Sequence, residues 1–141
     1  MTYLSWFESH ANKHQAIVDR LTHLDDDALI AYFDFDNMLQ HEPDFCPLYQ
    51  KQEKCHDIKS LNCYLCACPH FRFDDAGVMQ EAGKRRYSYC EIDAKDGADY
   101  VSEDAIHQDC SSCLLPHRVA YIKKHFSRDW RFMMRGCVKK G

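Results

Sequence analysis

Apolar side chains at Leu4, Phe7, Ala11, Ile17, Val18 and Leu21 recur at loosely helical spacing and predict a first helix within residues 3–21. Asp25, Asp26 and Asp27 then supply an N-cap and an acidic first turn, which suits the positive end of a helix dipole. Ala28, Leu29, Tyr32, Phe33, Phe35, Met38 and Leu39 continue at helical spacing until Pro43, so the first 44 residues read as an amphipathic helix pair. The aromatic stripe of that pair is expected to be core. From Asp44 to Asp109 the periodicity fades. Phe71–Phe73 and residues 86–92 suit short strands, and Asp74-Asp75-Ala76-Gly77, Glu81-Ala82-Gly83 and Asp96-Gly97 mark turns. Pro116 suits the first position of a helix, and Val119, Ala120, Ile122 and Phe126 carry that helix to about Ser127. A last helical piece runs from Arg128 to Arg135 and ends at Gly136.

These patterns predict an α-rich fold with few short strands at most, built around a loop-rich region that a metal nucleates. One domain of 141 residues would hold N-terminal helices (1–44), a cysteine-rich segment (45–117) and a basic C-terminal helix (118–141). Charge sharpens the division. Residues 1–44 carry nine acidic side chains against Lys13 and Arg20, while residues 117–141 carry eight Lys/Arg against Asp129. The basic end is expected to pack near the acidic one, so nucleic acid is not an expected partner.

The chemistry lies in the cysteines. Eight of nine fall between Cys46 and Cys113, and five of these form Cys63-x2-Cys66-x-Cys68-Pro69 and Cys110-x2-Cys113. A C-x2-C turn aims two sulfurs at one centre, and thiolates converging this way bind zinc or an iron–sulfur cluster. The odd count, the close spacing and the lack of a signal-like N-terminus argue against a disulfide framework and for a reducing cytoplasm. No apolar run approaches membrane-spanning length. Cys46, Cys55 and Cys90 stand singly; counting them as ligands gives eight thiols, enough for two four-ligand centres. His117 is either a nitrogen ligand beside Cys113 or a donor to a thiolate. Cys63, Cys66 and Cys68 are expected to share a centre with Cys90 or Cys113, leaving the remaining thiols and His117 for a second. Cys137 reads as a spare thiol far from the others. The three-cysteine run leans toward an iron–sulfur cluster of the 4Fe–4S kind, with zinc as the alternative. No catalytic residue is assigned.

Cys55-His56, Asn62-Cys63-Tyr64-Leu65-Cys66-Ala67-Cys68-Pro69 and Asp109-Cys110-Ser111-Ser112-Cys113-Leu114-Leu115-Pro116-His117 together resemble the cysteine-rich small domain, a metal-binding module of bacteria and archaea. That module occurs alone and fused to archaeal threonine-phosphate decarboxylases of cobalamin synthesis. The resemblance spans about residues 46–117 and implies that Cys55, Cys63, Cys66, Cys68, Cys110, Cys113 and His117 are metal-site positions. Its fused members imply an iron–sulfur centre. Where the family often has a further cysteine pair, this chain has His70-Phe71-Arg72-Phe73, and Cys90 would take that role from farther along. The decarboxylase portion has no counterpart, so no decarboxylase activity carries over. The functional expectation is a small metal protein serving electron transfer or another enzyme in cofactor metabolism, with a protein partner. The competing expectation is a zinc-stabilised interaction module.

Overall fold

The computed structural model describes residues 2–55, 61–92, 95–110 and 113–137. His56, Ser111, Ser112, Lys139 and Lys140, each part of a motif or charge run above, lie outside the described residues.

Helix α1 (Tyr3–Asp19) starts at a capping box in which Thr2 and Ser5 satisfy each other's backbone N–H groups. One face of it buries Phe7, His10, Ala11, His14, Ile17 and Val18. Asp25 caps α2 (Asp26–Tyr32) by accepting from the Ala28 N–H at 2.8 Å. The continuous second helix expected from residue 28 onward is instead broken, and α3 (Phe35–His41) follows separately. The cause is the cysteine segment. Phe33 O accepts from the Cys63 N–H (2.8 Å) and the Phe35 N–H donates to Leu61 O (2.9 Å), so strand-like pairing centred on Asp34 and Asn62 replaces a helical turn.

The expectation of an α-rich fold is wrong: the chain is mixed α and β. Among the described residues are strands β1 (Phe71–Phe73), β2 (Met79–Glu81), β3 (Lys84–Arg86), β4 (Ser88–Cys90), β5 (Ala98–Val101) and β6 (Ala105–Asp109). They form an antiparallel pair β1–β4 and a four-stranded sheet in the order β2-β3-β6-β5. In that sheet β3 and β6 run parallel, with Arg86 opposite Ile106, and the other pairs are antiparallel. Strands of three to five residues are too short for an alternating pattern to register, and the β3–β6 pairing joins segments distant in sequence. Arg86, itself buried, ties the sheet together by pairing with Glu81 and Asp99.

The C-terminal segment also departs from expectation. Pro116 sits in a 3-10 turn (Leu115–His117), and α4 (Val119–His125) begins only after Arg118. Helix α5 (Trp130–Met133) ends before Gly136, whose bare Cα instead makes room for the Arg72 guanidinium; a Cβ there would lie 2.8 Å from Nη2. The basic end does pack against the acidic one: Arg128 pairs with Asp26, Lys123 with Asp27 and Arg131 with Glu8.

A single apolar cluster joins all three segments. Phe7, Leu29, Phe33 and Met38 meet Tyr64 and Leu65 from the cysteine segment and Ile122, Trp130 and Met134 from the C-terminus. The aromatic stripe is core, as expected. Two backbone carbonyls of the cysteine segment are held by buried side chains: Leu65 O accepts from Trp130 Nε1 (2.6 Å) and Tyr64 O from His14 Nε2 (2.9 Å). Because a carbonyl only accepts, His14 carries its proton on Nε2, and its Nδ1 is buried without a partner, as is His10 Nε2. Among the described residues no helix is long and apolar enough to cross a membrane.

Candidate metal centre

The segment from Leu61 to Cys68 is held by one residue above all. Asn62 is fully buried; its side-chain N–H groups donate to Ile30 O (2.8 Å) and Asp34 Oδ1 (2.7 Å), and its Oδ1 accepts from the Tyr64 N–H (2.8 Å). The Asn62 backbone N–H donates to His117 O (3.2 Å), and Asn62 O accepts from His117 Nδ1 (3.0 Å). Every polar atom of this asparagine is thus used, and the Cys63 and Cys66 sulfurs are placed by helices on one side and the His117 turn on the other.

All nine cysteines are among the described residues, and all are thiols. Their mutual electrostatics divides eight of them into two groups. Around Cys63 and Cys66 the sulfurs felt are those of Cys46 and Cys55 and of each other. Around Cys68 and Cys110 they are those of Cys90 and Cys113; Cys110 also feels Cys68, and so does Cys137. The first group is therefore Cys46, Cys55, Cys63 and Cys66, and the second is Cys68, Cys90, Cys110 and Cys113. Cys63, Cys66 and Cys68 do not fall in one group, as the sequence spacing suggested: the chain crosses from one group to the other at Ala67. Cys66 takes a left-handed backbone conformation (φ 48°), which turns the chain at the crossing.

Desolvation dominates the titration of these thiols. Burial pushes Cys63 up to about 12 and Cys110 up to about 11, and lifts Cys66 well above its ordinary range although the residue keeps some surface. Cys68 is raised less, because the His70 backbone N–H and the Tyr121 side chain both favour its thiolate against the effect of burial. Pro69 has no N–H, so His70 is the first residue after Cys68 that offers one.

His117 reaches the first group and also lines a cavity with Cys113. Its Nδ1 donates to the Asn62 carbonyl, which leaves Nε2 toward Cys55 Sγ at 3.6 Å. The second group is mounted on strand ends. Cys90 closes β4 opposite Phe71, its N–H donating to Gln108 Oε1 (3.1 Å), while Cys110 follows β6 and accepts from the Cys113 N–H (3.0 Å). All four of its cysteines line one small void of about 20 Å³. An apolar cavity of about 370 Å³ opens on its other side, between the α1 aromatics Tyr3, Trp6 and Phe7 and the sulfur-bearing residues Cys66, Cys68 and Cys110. Cys137 also lines that cavity. It is buried, its Sγ donates to Cys68 O (3.5 Å), and burial pushes it up to about 12, so it is not remote from the other cysteines as its sequence position suggested.

Among the described residues no three His, Cys, Asp or Glu side chains close tightly enough to hold a metal ion as they stand. Residues that sequence reasoning passed over are Asn62, Tyr49 and Tyr121. Asn62 stood in the sequence only as a flank of Cys63, Tyr49 only as one of several aromatics among the cysteines, and nothing in the helical pattern distinguished Tyr121. No family model, no curated protein and no solved structure matches this chain.

Proposed function

We propose that the chain is a small metal–thiolate protein with two four-cysteine centres, Cys46/Cys55/Cys63/Cys66 and Cys68/Cys90/Cys110/Cys113. The observation that carries this reading is the void that Cys68, Cys90, Cys110 and Cys113 line together, while Cys46, Cys55 and Cys63 surround Cys66 electrostatically. Buried thiols held far above neutrality are poor bases for general chemistry. They become thiolates when a cation compensates the lost hydration, and metal binding then releases their protons. The donor set therefore fits a soft, multiply charged metal group. Such a centre also links otherwise weakly connected loops, so metal binding contributes to folding of residues 46–117.

An iron–sulfur cluster is the favoured occupant. Four thiolates on one zinc ion stand about 3.8 Å apart, as a Zn–S bond of ~2.3 Å in a tetrahedron requires. A 4Fe–4S cluster binds each thiolate to a different iron, and the run Cys63-x2-Cys66-x-Cys68-Pro69 leans toward that chemistry. When bound, such clusters exchange single electrons. The chain's own part is to hold the eight sulfurs and to exclude water with Phe71, Tyr49 and Tyr64. The role that follows is electron delivery to a partner protein, or support of another enzyme, in the reducing cytoplasm. Zinc is the second reading, favoured by the small void that Cys68, Cys90, Cys110 and Cys113 line together.

Anaerobic purification followed by iron, zinc and acid-labile sulfide analysis tests both readings. Two clusters give about eight irons and eight sulfides per chain and a brown protein; two zinc ions give a colourless one. Protein that retains neither metal after anaerobic reconstitution overturns the proposal.

A further inference from the structure

The cavity of about 370 Å³ beside the cysteines has the size and the lining of a small-molecule site. Close-packed interiors leave few voids larger than a water molecule, so a space of this size is not ordinary core. One wall is aromatic. Tyr3 stacks on Phe73 (5.4 Å, 25° between planes) and tilts against Phe71 (5.7 Å), and Phe7 lies against Phe73 (5.9 Å). Trp6, 38% exposed, brings that wall to the surface and gives a ligand its way in. The sulfur-bearing lining is Cys66, Cys68, Cys110, Cys113 and Cys137. Sulfur contacts the edge of an aromatic ring favourably, and rings pack offset or edge-on against other rings. Both kinds of lining therefore select a flat aromatic molecule over an aliphatic one of equal volume.

The polar complement is small. No Lys, Arg, Asp or Glu lines the cavity, so a charged ligand would lose its hydration without compensation. The Tyr3 hydroxyl is held between His107 Nδ1 (2.6 Å) and Ser88 Oγ (3.0 Å), and Ser88 Oγ also accepts from the Gln108 N–H (2.7 Å), so Tyr3 is committed to the sheet. The Gln108 side chain, which lines the cavity, is committed at one end only. Its Oε1 accepts from the Cys90 N–H (3.1 Å), which fixes the amide and leaves Nε2 as the donor end; among the described residues that nitrogen makes no hydrogen bond. One neutral donor in an aromatic cavity calls for a ligand with one acceptor.

We propose that this cavity binds a small, neutral aromatic carbonyl compound, its rings between the α1 aromatics and the cysteines and its carbonyl oxygen accepting from Gln108 Nε2. At liquid-like packing of about 0.5–0.6, the cavity holds about 200 Å³ of molecule, roughly two fused six-membered rings with a short substituent. Binding is non-covalent: no bond forms or breaks and no electron moves. The inference goes beyond the two-centre reading and needs no metal. Its lining draws Cys66 from the first thiol group and Cys68, Cys110 and Cys113 from the second, so the ligand sits where the two groups meet.

The probe is 2-acetylnaphthalene, titrated calorimetrically into the full chain purified anaerobically. Naphthalene lacks its carbonyl, 2-acetyldecalin lacks its flat rings and 2-naphthoate adds a charge. One probe per chain is expected, bound about 10-fold more tightly than any of the three. Gln108→Glu keeps an oxygen for the Cys90 N–H and replaces the donor by a second oxygen, so it should erase the advantage over naphthalene. Ala67→Leu adds volume to the cavity lining and should weaken the probe at least about 10-fold. The ligand series on wild-type protein decides without either variant: no saturable binding, or equal affinity for 2-acetylnaphthalene and naphthalene, overturns the proposal. A preference that survives Gln108→Glu overturns the assigned donor. Iron and zinc measured on the same samples keep the two readings apart. A chain that binds the probe but no metal, even after anaerobic reconstitution, ends the two-centre reading and sustains this one; a loaded chain that ignores the probe ends this one alone.

Discussion

The two thiol groups are built by opposite means. The first is embedded among helices: Cys63 follows Asn62, whose hydrogen bonds lock it to Ile30, Asp34 and His117, and Cys46 leads into the turn that buries Tyr49. The second hangs on strand ends: Cys90 closes β4, Cys110 follows β6, and a cavity adjoins them. The helical side fixes its sulfurs through side-chain hydrogen bonds to backbone. The strand side fixes them through backbone pairing, so a metal bound there would set more of its final shape. The first group should therefore tolerate metal loss better and mutation of its neighbours worse.

The division between the groups makes the strongest test. Cys66→Ser and Cys68→Ser should each remove about half of the bound metal, and the double variant nearly all of it, because serine replaces a soft thiolate poorly. Were Cys66 and Cys68 ligands of a single centre, the double variant would keep the half that the single variants keep; metal analysis of the three proteins decides. Cys137→Ser should retain full metal.

Next in size is Asn62→Ala, which strands the Tyr64 N–H and the Ile30 carbonyl oxygen in a buried place. A loss of roughly 2–4 kcal/mol is expected in chemical denaturation of the loaded protein, well above the effect of Gln108→Ala beside Cys90. Similar losses for the two would erase the contrast between the sides.

Acid should act mainly on the helical side. Burial lowers His10 to about 3 and His14 to about 4, so the unfolded chain binds more protons than the folded one between about pH 6.5 and those values. The stability that neutral histidines permit is complete above about pH 6.5 and falls as pH drops, by up to about 1.4 kcal/mol per pH unit for each. His10→Phe should flatten the thermal midpoint against pH in that window; a slope unchanged from wild type would assign the acid response to His14 and other groups instead. The smallest effect belongs to the pairs between the chain ends. They are exposed, so Asp27→Asn opposite Lys123 should change stability by less than about 0.5 kcal/mol.

The sequence revealed these two sides unequally. Helical spacing at Phe7, Leu29 and Met38 and the Asp25 cap were legible because their partners lie within a turn or two. The break at Asp34 was not, since its cause is Asn62, 28 residues away. Strands β2, β5 and β6 left almost no trace in a chain where three residues make a strand. Cysteine spacing identified the candidate ligands, but it grouped Cys68 with Cys63 and Cys66. Which cysteines come together depends on the β1–β4 and β3–β6 pairings, and those are non-local.

Ala67 is the whole length of chain between the two groups. Two residues of backbone span at most about 7 Å, so centres held by Cys66 and Cys68 would be near neighbours, on the order of 12 Å apart once the cysteine side chains are added. At that separation one added electron raises the cost of the next by about 1.4 kcal/mol at an effective dielectric of ~20, a factor of ten in equilibrium. Two clusters of equal intrinsic affinity would then titrate as two waves rather than one. The chain would behave as a one-electron carrier over a working range of potentials and take its second electron only from a stronger reductant.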